Sequence, residues 1–304
     1  MTRRVRVVVP ASSANLGPGF DCLGMALALY DEATFSLEGE GWRVAVSGEG
    51  RRRLPPGERN AVLRAFGTFC DAVGAPRPAG LRVSCRNGVP VGSGLGSSAA
   101  AALLGLLGAN ALLGAQIDKD QILQLAAELE GHADNAAAAL YGGLALAYRG
   151  EEGWAARRYA PASWQIDVIL PRLRFSTRRA RALLPREVPF GTIAPHLARV
   201  PLVIEALQSG DLGLLRWAMQ DGLHQPYRLK HIGGAEAAYR LAWESRQAAV
   251  ALSGAGPALI LFSRGGIEAL RREMEAAFSR AEVAVRHLSL AVDSGGARAE
   301  TLPD

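Results

Sequence analysis

Lysine is nearly missing from this chain of 304 residues: Lys119 and Lys230 are the only two among 34 basic residues, so the other 32 are arginine. A phosphate loop of the G-x-x-x-x-G-K-[ST] kind needs a glycine–lysine pair, and none occurs. An anionic ligand must therefore be held by guanidinium groups, backbone N–H groups or a metal ion. A preference for arginine codons explains the skew itself. The net charge is +5, but the longest basic run is Arg51–Arg53 and aromatics make up only 6%, too little clustering and stacking surface for a nucleic-acid partner. Cysteine is scarce too. Cys22, Cys70 and Cys85 are odd in number and far apart, with no C-x-x-C pair, and read as buried thiols of a reducing compartment. No stretch nears the ~18–20 apolar residues of a membrane span, and Val5–Pro10 is too short for a signal-peptide core. A soluble, cytoplasmic protein without a membrane partner is expected.

What is present is core material, with 49% apolar and 21% charged residues, the balance of a globular chain. Val5–Pro10 is β-branched and reads as a strand feeding a loop over residues 11–21; strands follow over 33–37 and 42–47. Asn60 is a good N-cap, and Val62, Leu63, Phe66, Phe69, Cys70 and Val73 form the apolar stripe of a helix that Gly74 ends. After a strand over 81–85 and a glycine-rich loop, Ser97 opens a nearly uncharged helix to about Leu113, which must be buried on most sides. A helix from the cap Asp118 to Glu130 follows, then strands over 143–148 and 166–170 flanking a polar turn at 149–153. The second half reads as helices over 177–184, 190–209, 211–220, 234–249 and 266–279 with strands over 257–263 and 283–289. Without a βαβα rhythm or repeat, this is an α+β chain, divided at about residue 155 into domains 1–155 and 156–304.

The order strand, glycine loop, helix at residues 81–113 aims backbone N–H groups and a helix N-terminus at one point, which binds phosphate without side-chain charge. Gly92, Gly94 and Gly96 also echo a dinucleotide loop, but two helical segments follow in place of a βαβ unit, and that reading is weak. Pro90-Val-Gly-Ser-Gly-Leu-Gly-Ser-Ser-Ala-Ala100 resembles the ATP loop P-x-x-x-G-L-G-S-S-A-A of the GHMP kinases. Pro10–Gly24 is similar to the P-A-S-x-A-N-L-G-P-G-F-D-x-L-G segment of the homoserine kinases within that family. Glu130–Gly143, Phe175–Arg181, Leu223–Arg228 and Leu252–Pro257 match further segments in order. Alanine at 133, 136 and 138 departs from the pattern.

The resemblance implies a two-domain α+β fold, with an N-terminal domain of the ribosomal protein S5 domain-2 type, a ferredoxin-like C-terminal domain and the site between them. It implies ATP-dependent phosphorylation of the L-homoserine side-chain hydroxyl, with Mg²⁺. Pro90, Val91, Gly92, Ser93, Gly94, Leu95, Gly96, Ser97, Ser98, Ala99 and Ala100 would cradle ATP. Ser98 and either Glu130 or Glu128 would hold the metal, whose hard oxygen preference they suit. Arg181 and Arg228 would clamp the substrate carboxylate, the bidentate task of a guanidinium, and Asp21 would take the ammonium. Asn15, His132, Asp134, Asn135 and Thr177 would line the same pocket, with Asn135 on the reacting hydroxyl and Asp134 assisting. The mevalonate-type Asp–Lys pair has no counterpart, because neither lysine lies near a substrate motif. A homodimer is common among such relatives, although no residue here marks an interface. Another GHMP kinase, for a different small hydroxylated metabolite, and a non-catalytic metabolite-binding relative are the alternatives.

Overall fold

The computed structural model describes residues 4–173 and 175–303. Strand β1 (Arg4–Asn15) runs antiparallel to β2 (Gly19–Ser36) along almost its whole length, with register shifts at Pro10/Ala11 and Ala14/Asn15 that bend the pair. The stretch 11–15, expected as loop, is thus the distal half of β1. The loop shrinks to a tight turn in which Asn15, Leu16 and Gly17 all have positive φ. β3 (Gly41–Gly48) lies parallel to β4 (Gly80–Asn87), which pairs with β2. A hairpin of β5 (Leu144–Gly150) and β6 (Gly153–Tyr159) also joins β2.

Helices α1 (Ala61–Val73), α2 (Ser97–Leu113), α3 (Lys119–Glu130) and α4 (Asp134–Tyr141) cover this sheet. The expected caps are in place. Asn60 Oδ1 accepts from Val62 N, Gly74 is left-handed, and Asp118 forms a capping box with Gln121. α2 is buried nearly all round, as its missing charge requires. Its Gly105 packs against the α1 backbone, and Gly108 against the Phe35 ring.

The second sheet is fully antiparallel, in the order β10 (Val285–Leu290), β7 (Gln165–Pro171), β9 (Leu259–Ser263), β8 (Ala248–Leu252). Its residues alternate between two cores. Ile166, Val168, Ala249, Ala251, Ile260 and Phe262 join a core that also contains Leu16, Leu23, Met25 and Leu27 of the first domain. Ile169, Val250, Leu252, Leu259 and Leu261 face the other way, toward α9 (Ala235–Ser245) and α10 (Glu268–Arg280). The period of two thus fixes both faces, and one apolar core runs across the domain junction. Helices α5 (Thr177–Ala182), α6 (Phe190–Ser209), α7 (Leu212–Ala218) and the short α8 (Gln225–Leu229) complete the second half.

Residue 155 falls inside β6, and the two sheets part between Tyr159 and Gln165. Strand β11 (Arg298–Leu302) then returns to pair antiparallel with β1, so the last residues complete the first sheet. The helix expected over 234–249 stops at Ser245, where Arg246 turns left-handed and frees Ala248 to start β8. Among the described residues no helix is long and apolar enough to cross a membrane.

A Cβ on Gly105 would lie 2.2 Å from the Val62 carbonyl oxygen. Gly105→Ala gains ~1 kcal/mol of helix propensity, but overpacking two backbones costs ~1–3 kcal/mol, so the clash wins. We expect a lower urea midpoint at unchanged m-value; a raised midpoint would mean that α1 and α2 separate freely.

Candidate active site

The glycine loop between β4 and α2 is shaped by three left-handed residues, Gly92, Gly94 and Gly96, a conformation that side chains resist. Two of them also have no room for a side chain. A Cβ on Gly94 would meet the Ser253 carbonyl oxygen at 2.2 Å, and one on Gly96 the Ser12 Oγ at 2.1 Å. The loop is therefore clasped between β1 and the 253–257 turn. Ser253 Oγ donates to Gly94 O at 2.8 Å and lies 2.8 Å from Ser13 Oγ; Gly254 N donates to Ala14 O and Ala258 N to Ser93 O. Ser12, Ser13 and Ser253 are fully buried, and each hydroxyl finds a partner, Ser12 at Asn135 Oδ1, Ser253 at Gly94 O and Ser13 at Ser253, as burial requires.

The loop opens onto a cavity of about 340 Å³, within the range of small-ligand sites. At the start of α2, Ser98 Oγ donates to Glu130 Oε1 at 2.6 Å. Of the two carboxylates considered from sequence, Glu130 therefore faces the loop, while Glu128 is exposed and does not line the cavity.

Farther along, Asn15 Nδ2 donates to Gly254 O at 2.8 Å and Asn15 Oδ1 accepts from Asp21 N. Asp21, at φ 58°, presents its carboxylate to Arg181, whose Nη1 and Nη2 donate to it at 2.9 and 2.7 Å. The sequence reading sets Arg181 with Arg228 on one carboxylate and Asp21 on an ammonium. In the structure Arg181 and Asp21, near the start of β2, neutralise each other. Thr177, at the start of α5, is exposed at the cavity wall.

Arg228 differs from Arg181. It is 2% exposed and pairs with no carboxylate among the described residues. Its Nη1 reaches His224 Nδ1 at 3.1 Å and Gly254 O at 3.3 Å, its Nε donates to Ala180 O at 3.4 Å, and Nη2 has no protein partner among the described residues. Burial, helped by the charge of Arg181, pulls its pKa down to about 10, so it remains charged at neutral pH. An isolated buried guanidinium is costly and fits an incoming anion. Both guanidiniums lie over one ring: Phe20 has Arg181 Cζ at 5.5 Å and Arg228 Cζ at 5.3 Å from its centroid, a cation–π contact worth ~0.5–2 kcal/mol. Phe20 was not singled out from sequence, although its place between Gly19 and Asp21 in the first motif is the signal that could have found it.

Beside Asp21, His132 Nδ1 lies 2.5 Å from Asp134 Oδ1, and the same oxygen accepts from Asn135 N at 2.7 Å. Asn135 Oδ1 accepts from Ser12 Oγ at 2.9 Å, tying the start of α4 to β1. Burial opposes protonation of His132, yet its hydrogen bond to Asp134 and the charges of Asp134 and Asp21 outweigh this, and its pKa is raised. The three thiols are shifted the other way from reactivity. Burial pushes Cys22 up to about 11 and Cys85 to about 12, and raises Cys70, so they stay protonated.

Residues 60–143 match the family model described as the GHMP kinases N terminal domain. A homoserine kinase of Moorella thermoacetica is 40% identical over 292 residues, covering 96% of this chain and 98% of its own length. One from a Synechococcus species is also 40% identical and covers 98% of each chain. Among solved structures, homoserine kinase from Cytophaga hutchinsonii superposes with a TM-score of 0.83 at 26% identity, over 98% of this chain and 97% of that one. L. major mevalonate kinase in complex with R-mevalonate, at 16% identity, gives a TM-score of 0.69 over 95% of this chain and 96% of its own, and shares the fold.

The raised pKa of His132 has a signed consequence. The folded state favours the protonated ring, so its contribution to stability is whole below the unfolded value of about 6.5 and is lost as pH rises through the higher folded value. His132→Gln should remove that loss, flattening the stability profile above about pH 6.5 in denaturant titrations; an unchanged slope would mean that the ring titrates alike in the folded and unfolded chains.

Proposed function

Because the chain belongs to the homoserine kinases of the GHMP kinase family, we propose that it transfers the γ-phosphoryl group of ATP to the side-chain hydroxyl of L-homoserine, giving O-phospho-L-homoserine on the way to threonine. One observation carries this reading: a single cavity is lined both by a glycine loop suited to phosphate and by the charges that complement an amino acid.

The Asp21–Arg181 pair makes the substrate class more specific. A zwitterion carries both charges that this pair already satisfies, so its ammonium can go to Asp21 and its carboxylate to Arg181 and to the free edge of Arg228 with no group left unpaired. A ligand with a carboxylate alone can take the free edge of Arg228 but gives Asp21 no new partner, and a neutral sugar leaves the buried Arg228 without an anion.

The residues also suit a magnesium ion. Ser98 Oγ and Glu130 Oε1 are adjacent hard oxygen donors beside the phosphate loop, the donor set Mg²⁺ prefers. Asp21, His132 and Asp134 also cluster within 4.8 Å, but Asp21 is held by Arg181 and the His132 nitrogen by Asp134, and imidazole suits magnesium poorly. Bound at Ser98 and Glu130, the ion would neutralise charge on the phosphates.

The chain's own groups do the positioning. Backbone N–H groups of the loop and the α2 N-terminus hold the phosphates. Asn135, anchored by Ser12 through Oδ1, keeps its amide N–H₂ for the acceptor hydroxyl. Asp134 Oδ1 is already engaged by His132 and by Asn135 N, which leaves Oδ2 alone to assist. The hydroxyl proton leaves to a phosphoryl oxygen as the bond to phosphorus forms, a route open to phosphoryl transfer because little nucleophile activation is needed in a loose transition state.

Two measurements test this. ADP release with Mg-ATP and a panel of homoserine, threonine, serine, mevalonate, shikimate and galactose should be fastest with homoserine; turnover of mevalonate or galactose alone would assign the site to another member of the family, and no turnover with any would favour a binding-only protein. Asp134→Asn should lower kcat by less than the ~10²-fold that loss of a general base costs, and a larger loss with homoserine binding intact would make Asp134 the base.

A further inference from the structure

His224 takes no part in the chemistry above, yet it is the most enclosed titratable ring in the second half of the chain. Its side chain has no exposure, and its ring packs, tilted by 34°, at 5.3 Å from the same Phe20 ring that carries both guanidiniums. The two ring nitrogens join segments far apart in sequence. Nε2 lies 2.8 Å from Gly17 O, which can only accept, so Nε2 carries the proton. Nδ1 is then a lone pair, and it faces Arg228 Nη1 at 3.1 Å. The backbone of this histidine is fixed as well: Asp221 accepts from the N–H groups of Leu223, His224 and Gln225 at 2.8, 3.1 and 2.7 Å.

We propose that His224 is a positioning residue for the substrate carboxylate. As a neutral ring it hooks one nitrogen of Arg228 to the turn between β1 and β2, so that the opposite edge of the guanidinium is turned to the cavity at a fixed distance from Asp21. The proposal rests on the assignment of Arg228 to the carboxylate. Three features support it beyond proximity. Arg228 has no acidic partner to hold it among the described residues, its remaining contacts at Gly254 and Ala180 are long, at 3.3 and 3.4 Å, and Gly17 is two residues from Asn15 in the turn that leads to Asp21. The charged groups facing the ring are Asp221, whose Oδ2 lies 3.5 Å from Nε2, and Arg228 itself; Asp21 acts at longer range. Burial and the Arg228 charge keep the ring neutral against the pull of Asp221.

The test compares His224→Leu, which removes both bonds, with His224→Asn, whose amide oxygen can take the place of Nδ1, and with Arg228→Ala. Steady-state kinetics are measured against homoserine and ATP separately. A hydrogen bond to a charged group is worth enough that His224→Leu should raise KM for homoserine ~10–100-fold, with KM for ATP changed less than about threefold. His224→Asn should recover most of the loss. Equal effects of Leu and Asn, or parallel rises in both KM values, would mean that the ring is only a core residue and would overturn the proposal. Should Arg228→Ala leave KM for homoserine unchanged, the carboxylate assignment itself falls and the positioning role with it.

Discussion

Everything at this site depends on two backbones meeting without side chains between them. Gly94 of the phosphate loop and the carbonyl of Ser253 approach so closely that no Cβ fits, and the hydroxyl of Ser253 closes the contact by bonding the Gly94 carbonyl and meeting Ser13. The loop comes from the first domain and the Ser253 turn from the second. Nucleotide cradle and domain junction are therefore one structure, and the apolar core that spans the two sheets sits directly beneath it. A change in how the domains meet would alter the loop's shape, and hence the aim of its N–H groups.

The charged half of the site follows a different logic. Among the described residues arginine, and no lysine, lines the cavity, and its planar fork allows two uses that an ammonium could not fill. Arg181 makes a two-point contact with Asp21, leaving a neutral pair at the entrance. Arg228 is buried with one edge tied to neutral acceptors and the other free. Phe20 serves both, offering a π face to two cations.

How much of this could be read from the sequence differs by feature. Caps and periodicity located α1, α2 and α3 closely, because Asn60, Gly74 and Asp118 act locally. The glycine loop and its helix were legible for the same reason, and the family motifs brought Asp21, His132, Asp134, Asn135, Arg181 and Arg228 to one pocket's lining. Elements whose existence depends on distant partners were not legible. β6 has a mixed pattern because only the β5 edge needs it, β8 is alanine-rich and reads as helix until the sheet buries both its faces, and α4 and α8 are too short to show a stripe. The Asp21–Arg181 pairing was hidden because side-chain partners 160 positions apart are chosen by the fold.

The return of β11 to β1 has a consequence for how the chain is made. Arg4 pairs with Leu302, so the first domain's sheet has an open edge at β1 until β11 has left the ribosome. During that time an unpaired β-edge is exposed, a template for wrong pairing with other chains. Contacts of such sequence separation also form slowly, since a long loop must be closed before they contribute. The second sheet, built from residues 165–290 without help from the N-terminus, is free to assemble first. The domain that begins the sequence is thus the one that finishes last.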